Sequence, residues 1–312
     1  MRLAWFLVLA GCTTESWYEL GVDAAPTAVG ARVFAGVSSG NCRSGERAAH
    51  CSFDTVTIEK VTLATEGVFE RQLDSNAAID LLALTEGMTR MTIVADNGDE
   101  TKTFITTLIA LATDRVTVTP TLRDMPCSLP ARYAIGYRPT LPTAKFHGDT
   151  KLNGRYYNPF DITGGATLDS ERSRDGDIVL QLSDAPGPIT LTSPVDTSFA
   201  LALETFAPSQ VEAVVIGDAP TTQWFPLNPM RIPIDLMVGG APVCGDSLPR
   251  TARTTGVCKI YEEDGDGTSD TKTVAGMSTL LLRAYESGTC TVEVTLDGTT
   301  LTATKTLTVI SM

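Results

Sequence analysis

Glu262-Glu263-Asp264-Gly265-Asp266-Gly267-Thr268-Ser269-Asp270 is the stretch whose residue types and spacing best suit chemistry. Counted from Glu262, acids stand at positions 1, 3 and 5, glycine at 6 and an acid at 9. Alternate side chains of such a loop turn inward as hard oxygen ligands, and the glycine permits a sharp bend. Glu262, Asp264, Asp266 and Asp270 are therefore candidate calcium ligands. Thr273 stands where an EF-hand needs its bidentate Glu, and no helical pattern flanks the loop. The competing reading is an acidic hairpin turn in which Asp-Gly pairs supply positive φ.

The calcium-type spacing resembles the short aspartate-rich calcium repeats of extracellular proteins, which implies calcium as the one cofactor to consider. Two other stretches invite a site. Gly36-Val37-Ser38-Ser39-Gly40 matches the G-x-S-x-G pattern of a nucleophile elbow. That chemistry needs a strand-turn-helix context and a histidine to take the serine proton. Only His50, between two cysteines, and His147 follow, and no α/β alternation exists, so a turn is expected there and no catalytic residue is assigned. Arg155-Tyr156-Tyr157-Asn158-Pro159-Phe160-Asp161 gathers aromatics beside polar groups, which suits sugar or peptide contacts through Tyr156 and Tyr157. The same residues would equally fill a core. No P-loop, dinucleotide fingerprint or H-E-x-x-H is present.

Cysteine usage divides the chain more sharply. Arg2 and the apolar run Leu3 to Leu9 have the order of a short export signal, and Leu9-Ala10-Gly11-Cys12 closes it. This ending resembles the lipobox of bacterial lipoproteins. The resemblance implies removal of residues 1–11, a diacylglycerol on the Cys12 thiol and an acylated Cys12 amine. One chain anchors only marginally, whereas two or more hold a protein stably on a membrane. In that family an Asp after the cysteine tends to retain the protein in the inner membrane. Thr13 therefore implies the outer membrane of a cell envelope.

Setting Cys12 aside leaves Cys42, Cys51, Cys127, Cys244, Cys258 and Cys290. An even remainder in an exported chain implies disulfides, and without a C-x-x-C pair zinc spacing is absent. Local closure favours Cys42–Cys51 and Cys244–Cys258, leaving Cys127–Cys290. The rival pairs Cys258–Cys290 and Cys127–Cys244.

The elements that would position these residues read as strands. Runs such as MTIVAD, TKTFITTLI, DIVLQLSD, FALALETF and CTVEVTL alternate and are rich in Val, Ile, Thr and Leu, with DNGDE, DAPGP and LDGTT between them. This argues for an all-β chain of tandem antiparallel β-sandwiches. Ala77 to Leu84 is the one helical candidate, and suits a strand equally. Residues 12–30 lack periodicity and read as a tether. Proline clusters at 117–130 and 219–233, the second holding Trp224 and Phe225, read as domain junctions, since proline cannot donate to a sheet ladder. The expected units are 31–122, 123–226 and 227–312. EGMTRMTIVADNG at Glu86–Gly98 matches SGTCTVEVTLDG at Ser287–Gly298: glycine, alternation, then a tight turn. The pair resembles the last hairpin of bacterial immunoglobulin-like domains, and implies that fold for the first and third units.

The 312 residues carry a formal charge of −13, with 43% hydrophobic and 20% charged residues. That balance is globular. Such negative charge repels a phosphate backbone, so nucleic acid is not an expected partner. The expected role is structural, adhesive or partner-binding on the envelope, without catalysis. Its partners would be the membrane and an envelope or extracellular protein or glycan. The alternatives are a lipoprotein that binds a carbohydrate or small ligand, with or without calcium, and an envelope hydrolase.

Overall fold

The computed structural model describes residues 14–22, 25–44, 49–74, 78–173, 177–218, 229–261, 267–276 and 278–310. Strands dominate, and the one helical turn among the described residues is the short 3-10 turn Pro208–Gln210. The chain is all-β and built of tandem β-sandwiches. Ala78–Ala83 of the helical candidate is a strand. The contacts define two compact units. Among the described residues, one comprises those up to 116 with 144–157. The other comprises 117–143, 158–173 and the described residues from 177 on.

In the first unit, one sheet orders Thr14–Val22, Arg32–Ser44, Ala78–Ala83 and Phe69–Asp74, and Ala49–Phe53 also pairs with Arg32–Ser44. The other orders Thr27–Ala28, Thr101–Leu111, Gly87–Asp96 and Thr57–Leu63. Alternation sets the faces: Val33, Ala35 and Val37 point into the same core as Met91, Ile93 and Ala95. Burying such side chains contributes about 1.5–3 kcal/mol each.

Residues 14–22, expected within a tether, pair with the long strand from Thr14↔Arg43 to Val22↔Ala35. The physical reason lies in Tyr18, which joins the core and meets Phe104 edge-on at 5.3 Å. Residues 144–157, expected in the middle unit, also belong here. Leu152 packs with Ala28 and Ala31, and Asn153 and Arg155 bridge to Thr27 and Arg32.

The second unit contains two cores. The first lies between the sheet Ala131–Ala134, Ala200–Phe206, Gly187–Thr192, Asp161–Gly164 and the sheet Thr140–Leu141, Ile178–Leu182, Ala166–Leu168. The second lies between a six-stranded sheet through Met230–Val238 and the sheet Thr271–Ala275, Pro249–Gly256, Gly288–Leu296, Thr302–Val309. Val214 and Ile216, on the near side of the expected boundary at 226, belong to this last core. Tyr137 packs against both.

The proline stretches are part of these sheets where they are described. Thr121–Leu122 and Met125–Pro126 form a minimal hairpin whose central Arg123 and Asp124 have φ of 52° and 64°, the signature of a type I′ turn. Pro233 lies within Met230–Val238, where its carbonyl accepts from Gly217 N–H at 2.8 Å. Pro233 has no N–H to return to Gly217, and Lys305 Nζ donates to the Gly217 carbonyl at 2.7 Å. Trp224 and Phe225 lie outside the described residues.

The disulfides are Cys42–Cys51, Cys127–Cys244 and Cys258–Cys290. Local closure at Cys244–Cys258 is thereby corrected. Cys258 and Cys290 are both fully buried in one core, and they join its two sheets.

The two similar hairpins share their backbone device. Gly87 and Gly288 open their strands at φ of 151° and 155°. A Cβ on either would press on a valine, Val68 at 3.0 Å or Val257 at 2.6 Å. Where the second copy has Cys290, the first has buried Thr89, whose Oγ1 accepts from Thr65 N–H at 2.9 Å.

Candidate functional site

A groove of about 440 Å³ opens in the first unit, within the size range of ligand sites. It is lined by Ser16, Trp17, Tyr18, Ser39, Asp54 and Lys102 among others, with the hairpin residues Asn97, Asp99 and Glu100 along one side. Ser39 follows Val33, Ala35 and Val37 in the inward phase of the long strand and is buried. Asp54 follows Phe53 directly, and its N–H donates to the Ser39 carbonyl at 3.0 Å.

A hydrogen-bond chain fixes the groove. Asn97 Nδ2 donates to Ser39 Oγ at 2.8 Å, and Ser39 Oγ donates to Asp54 Oδ2 at 2.7 Å. Asn97 Oδ1 accepts the N–H groups of Asp99 and Glu100 at 3.1 and 2.9 Å, which holds the hairpin tip. Asp96 accepts from Gly98 N–H at 2.7 Å and from Thr101 Oγ1 at 2.7 Å; these bonds, the hydroxyl first, lower its carboxyl pKa. Lys102 Nζ donates to the Tyr18 carbonyl at 2.9 Å and stands 5.3 and 5.4 Å from the Tyr18 and Phe104 ring centres. A lysine over a sheet edge is a common guard against stray pairing, and Thr14–Val22 is an edge strand.

Tyr18 reports the field here. Burial chiefly, then the charges of Asp96, Glu100 and Glu59, raise its phenol pKa. Its hydroxyl is buried and has no hydrogen-bond partner among the described residues. Trp17 lies over Gly40, where a Cβ would come within 2.6 Å of its ring, and meets the exposed Phe53 edge-on at 5.6 Å.

The serine motif has no elbow. Gly36 to Gly40 all lie inside Arg32–Ser44, and the expected turn is a strand. Ser38 pairs across the sheet with Glu19. Ser39 holds a carboxylate with no histidine among the groove residues, so no serine-imidazole couple forms there.

The aromatic pair is split. Tyr157 packs against the small cluster of Ala28, Ala31 and Leu152, and burial raises its phenol pKa. Tyr156 is partly exposed at φ 62°, with the Arg32 guanidinium 5.3 Å from its ring. Of the candidate calcium ligands, Asp270 receives Lys259 Nζ at 2.5 Å. Glu262, Asp264 and Asp266 lie outside the described residues, as does Cys12. Among the described residues no group of three or more His, Cys, Asp or Glu is placed to hold a metal.

Sequence reading missed the groove because its members are far apart in the chain. The Asn97 side chain was the available signal: D-N-G-D-E is an Asx-rich turn.

No protein-family model matches the chain, and no curated protein matches it. Solved structures with β-rich domains do. Domains 4–9 of the surface layer protein SbsC match over 95% of this chain and 47% of that one, with 13% identity and a TM-score of 0.26. This chain thus spans about half the length of that fragment. Invasin, a bacterial integrin-binding protein, matches over 96% and 60%, with 14% identity and a TM-score of 0.24. The D00-D0 domain of intimin matches over 63% and 100%, with 10% identity and a TM-score of 0.24. At these scores the likeness carries no argument about function.

Proposed function

We propose that the chain is a lipid-anchored protein of a bacterial cell envelope, in the outer membrane, with a structural, adhesive or partner-binding role and no covalent chemistry. The observation that carries this reading is a disulfide-stapled series of β-sandwiches; the resemblance of Leu9-Ala10-Gly11-Cys12 to a lipobox supports the anchor. Three disulfides belong to an oxidising compartment. Rigid sandwiches then serve as spacers, and their loops and grooves make the contacts.

The test is protease shaving of intact cells followed by in-cell crosslinking and mass spectrometry. The reading expects membrane-bound protein crosslinked to envelope neighbours. Soluble cytoplasmic protein with reduced cysteines contradicts it.

A second reading, a lipoprotein that binds a small ligand, is favoured by the groove of the first unit. Its carbohydrate version places the contact outside that groove, at Tyr156, since Tyr157 is packed. A calcium version needs the acidic loop. Calorimetry with millimolar calcium on the full chain and on Asp266→Ala decides it: no heat that the variant loses removes calcium.

A further inference from the structure

When a chain is pulled by its ends, a disulfide carries the tension and the loop it closes does not. Cys127–Cys244 closes 117 residues of sequence in this way. All strands of the two sheets around the second unit's first core, from Ala131–Ala134 to Ala200–Phe206, lie inside that loop. Ala213–Ile216 and Met230–Val238 of its second core lie there too, as do residues 144–157 of the first unit. The two cysteines stand 5.8 Å apart at Cα; Cys244 lies in the first core and Cys127 packs against it. Backbone bonds hold the chain on either side of the sulfurs. Cys244 N–H donates to the Arg132 carbonyl at 2.7 Å, Ala134 N–H to the Gly245 carbonyl at 3.0 Å, and Cys127 N–H to the Pro120 carbonyl at 2.9 Å. Arg123, in the hairpin just before Cys127, donates to the Ser278 carbonyl at 2.8 Å and to Asp235 at 2.7 Å.

We infer that Cys127–Cys244 is a mechanical bypass, which keeps the first sandwich of the second unit folded while neighbouring parts of the chain are stretched. Tension that arrives at Cys127 leaves at Cys244 through one covalent bond, and none reaches the strands between. Without the bond the same pull would shear Ala131–Ala134 against Ala200–Phe206, the parallel pair at the two ends of that stretch. Forced unfolding is governed by the unfolding rate, so a sandwich outside the path of the tension keeps its resting lifetime. The second sandwich is shielded only in part. Pro249–Gly256 and Thr302–Val309 lie on the path, while Cys258–Cys290 closes a further 32 residues. It therefore yields by stretching, and the first sandwich keeps its loops in shape. The inference deepens the structural or adhesive reading and rests on it only for the source of the tension. Chain connectivity sets the bypass itself, so a force measurement on purified protein and the cell-shaving test can fail separately.

The experiment is single-molecule force spectroscopy on the full chain, held by a tag at each end, first oxidised and then exposed at constant force to a dithiol. The dithiol closes to a ring disulfide, and the protein's bond becomes two thiols. An extended residue spans about 3.5 Å, so opening Cys127–Cys244, Cys258–Cys290 and Cys42–Cys51 frees about 400, 110 and 30 Å. The step size therefore tells which bond has opened. Leu203→Ala and the milder Ile189→Val weaken the shielded core, and Val292→Ala weakens the second core on the path of the tension. Cys127→Ala with Cys244→Ala removes the bypass.

The oxidised chain is expected to unfold in steps whose forces Val292→Ala lowers and Leu203→Ala and Ile189→Val leave unchanged. The gain of about 400 Å follows only after the dithiol is added. In the chain without Cys127 and Cys244 that length appears with no dithiol, and Leu203→Ala or Ile189→Val lowers the force at which it does. An oxidised chain that releases its whole length before the dithiol arrives overturns the bypass. A fall in unfolding force on Leu203→Ala or Ile189→Val with the disulfide intact overturns it too, because tension would then be reaching the shielded core.

Discussion

Gly40 shows how one residue shapes the groove. Its backbone lies against the Ser52 carbonyl and the Trp17 ring, so that a Cβ would sit 2.4 Å from the carbonyl oxygen. Gly40→Ala forces backbone apart and should cost about 1–3 kcal/mol. Gly187, where nothing lies within 4 Å of a Cβ, is the comparison; Gly187→Ala should change stability by less than about 0.5 kcal/mol. Urea unfolding of both variants measures the difference. At the same scale, Tyr133 and Tyr137 stack with ring centres 6.0 Å apart. Burial pushes both phenols up, Tyr133 far above its ordinary value, with each also raised by a neighbour, Tyr137 and Asp246 respectively. Unfolded tyrosines lose their protons near pH 10 while these keep theirs. Their contribution is therefore complete below pH 10 and is lost as pH rises through the folded values. Stability measured against pH should fall above pH 10, and more gently in Tyr133→Phe.

At the scale of elements, the disulfides order themselves by the chain they close. Their separations are 9, 32 and 117 residues for Cys42–Cys51, Cys258–Cys290 and Cys127–Cys244. The chain-entropy model gives roughly 2.6, 3.7 and 4.9 kcal/mol in that order. Paired Cys→Ala variants, unfolded in urea, should lose stability in the same order; a larger loss at Cys42–Cys51 than at Cys127–Cys244 would contradict it. The strands themselves were legible, because alternation in MTIVAD or CTVEVTL is a local property. The pairing of Cys290 was half-legible. It shares the inward phase of Val292, Val294 and Leu296, as Cys258 shares that of Ile260, so both had to face one core. Closeness in sequence pointed the other way, and burial decided. Thr14–Val22 escaped notice because an edge strand with Glu19 and Gly21 facing outward shows little hydrophobic contrast. The groove was illegible for a different reason: Tyr18, Ser39, Asp54 and Asn97 meet only through pairings that no local window contains.

At the scale of the molecule, the first strand changes what an anchor would do. If Cys12 carries lipid, Thr13 alone separates it from the sheet that starts at Thr14. Two residues of extended chain span only about 7 Å. The first unit would then stand at the bilayer surface instead of swinging on a leash, and its contacts would be with neighbours close to the membrane. Three spans were expected, and the contacts instead define two units, the second with two cores. The shift follows from residues 144–157, whose hairpin and Leu152 complete the first unit across a long detour in sequence.

The envelope anchor is the claim on which the proposed role depends, and intact mass with N-terminal peptide sequencing of the protein taken from cell membranes tests it most directly. The account predicts a mature chain that begins at Cys12, carries a diacylglycerol and an acylated amine on that residue, and holds its other six cysteines as three disulfides. A chain that begins elsewhere, or a Cys12 without lipid, would contradict it.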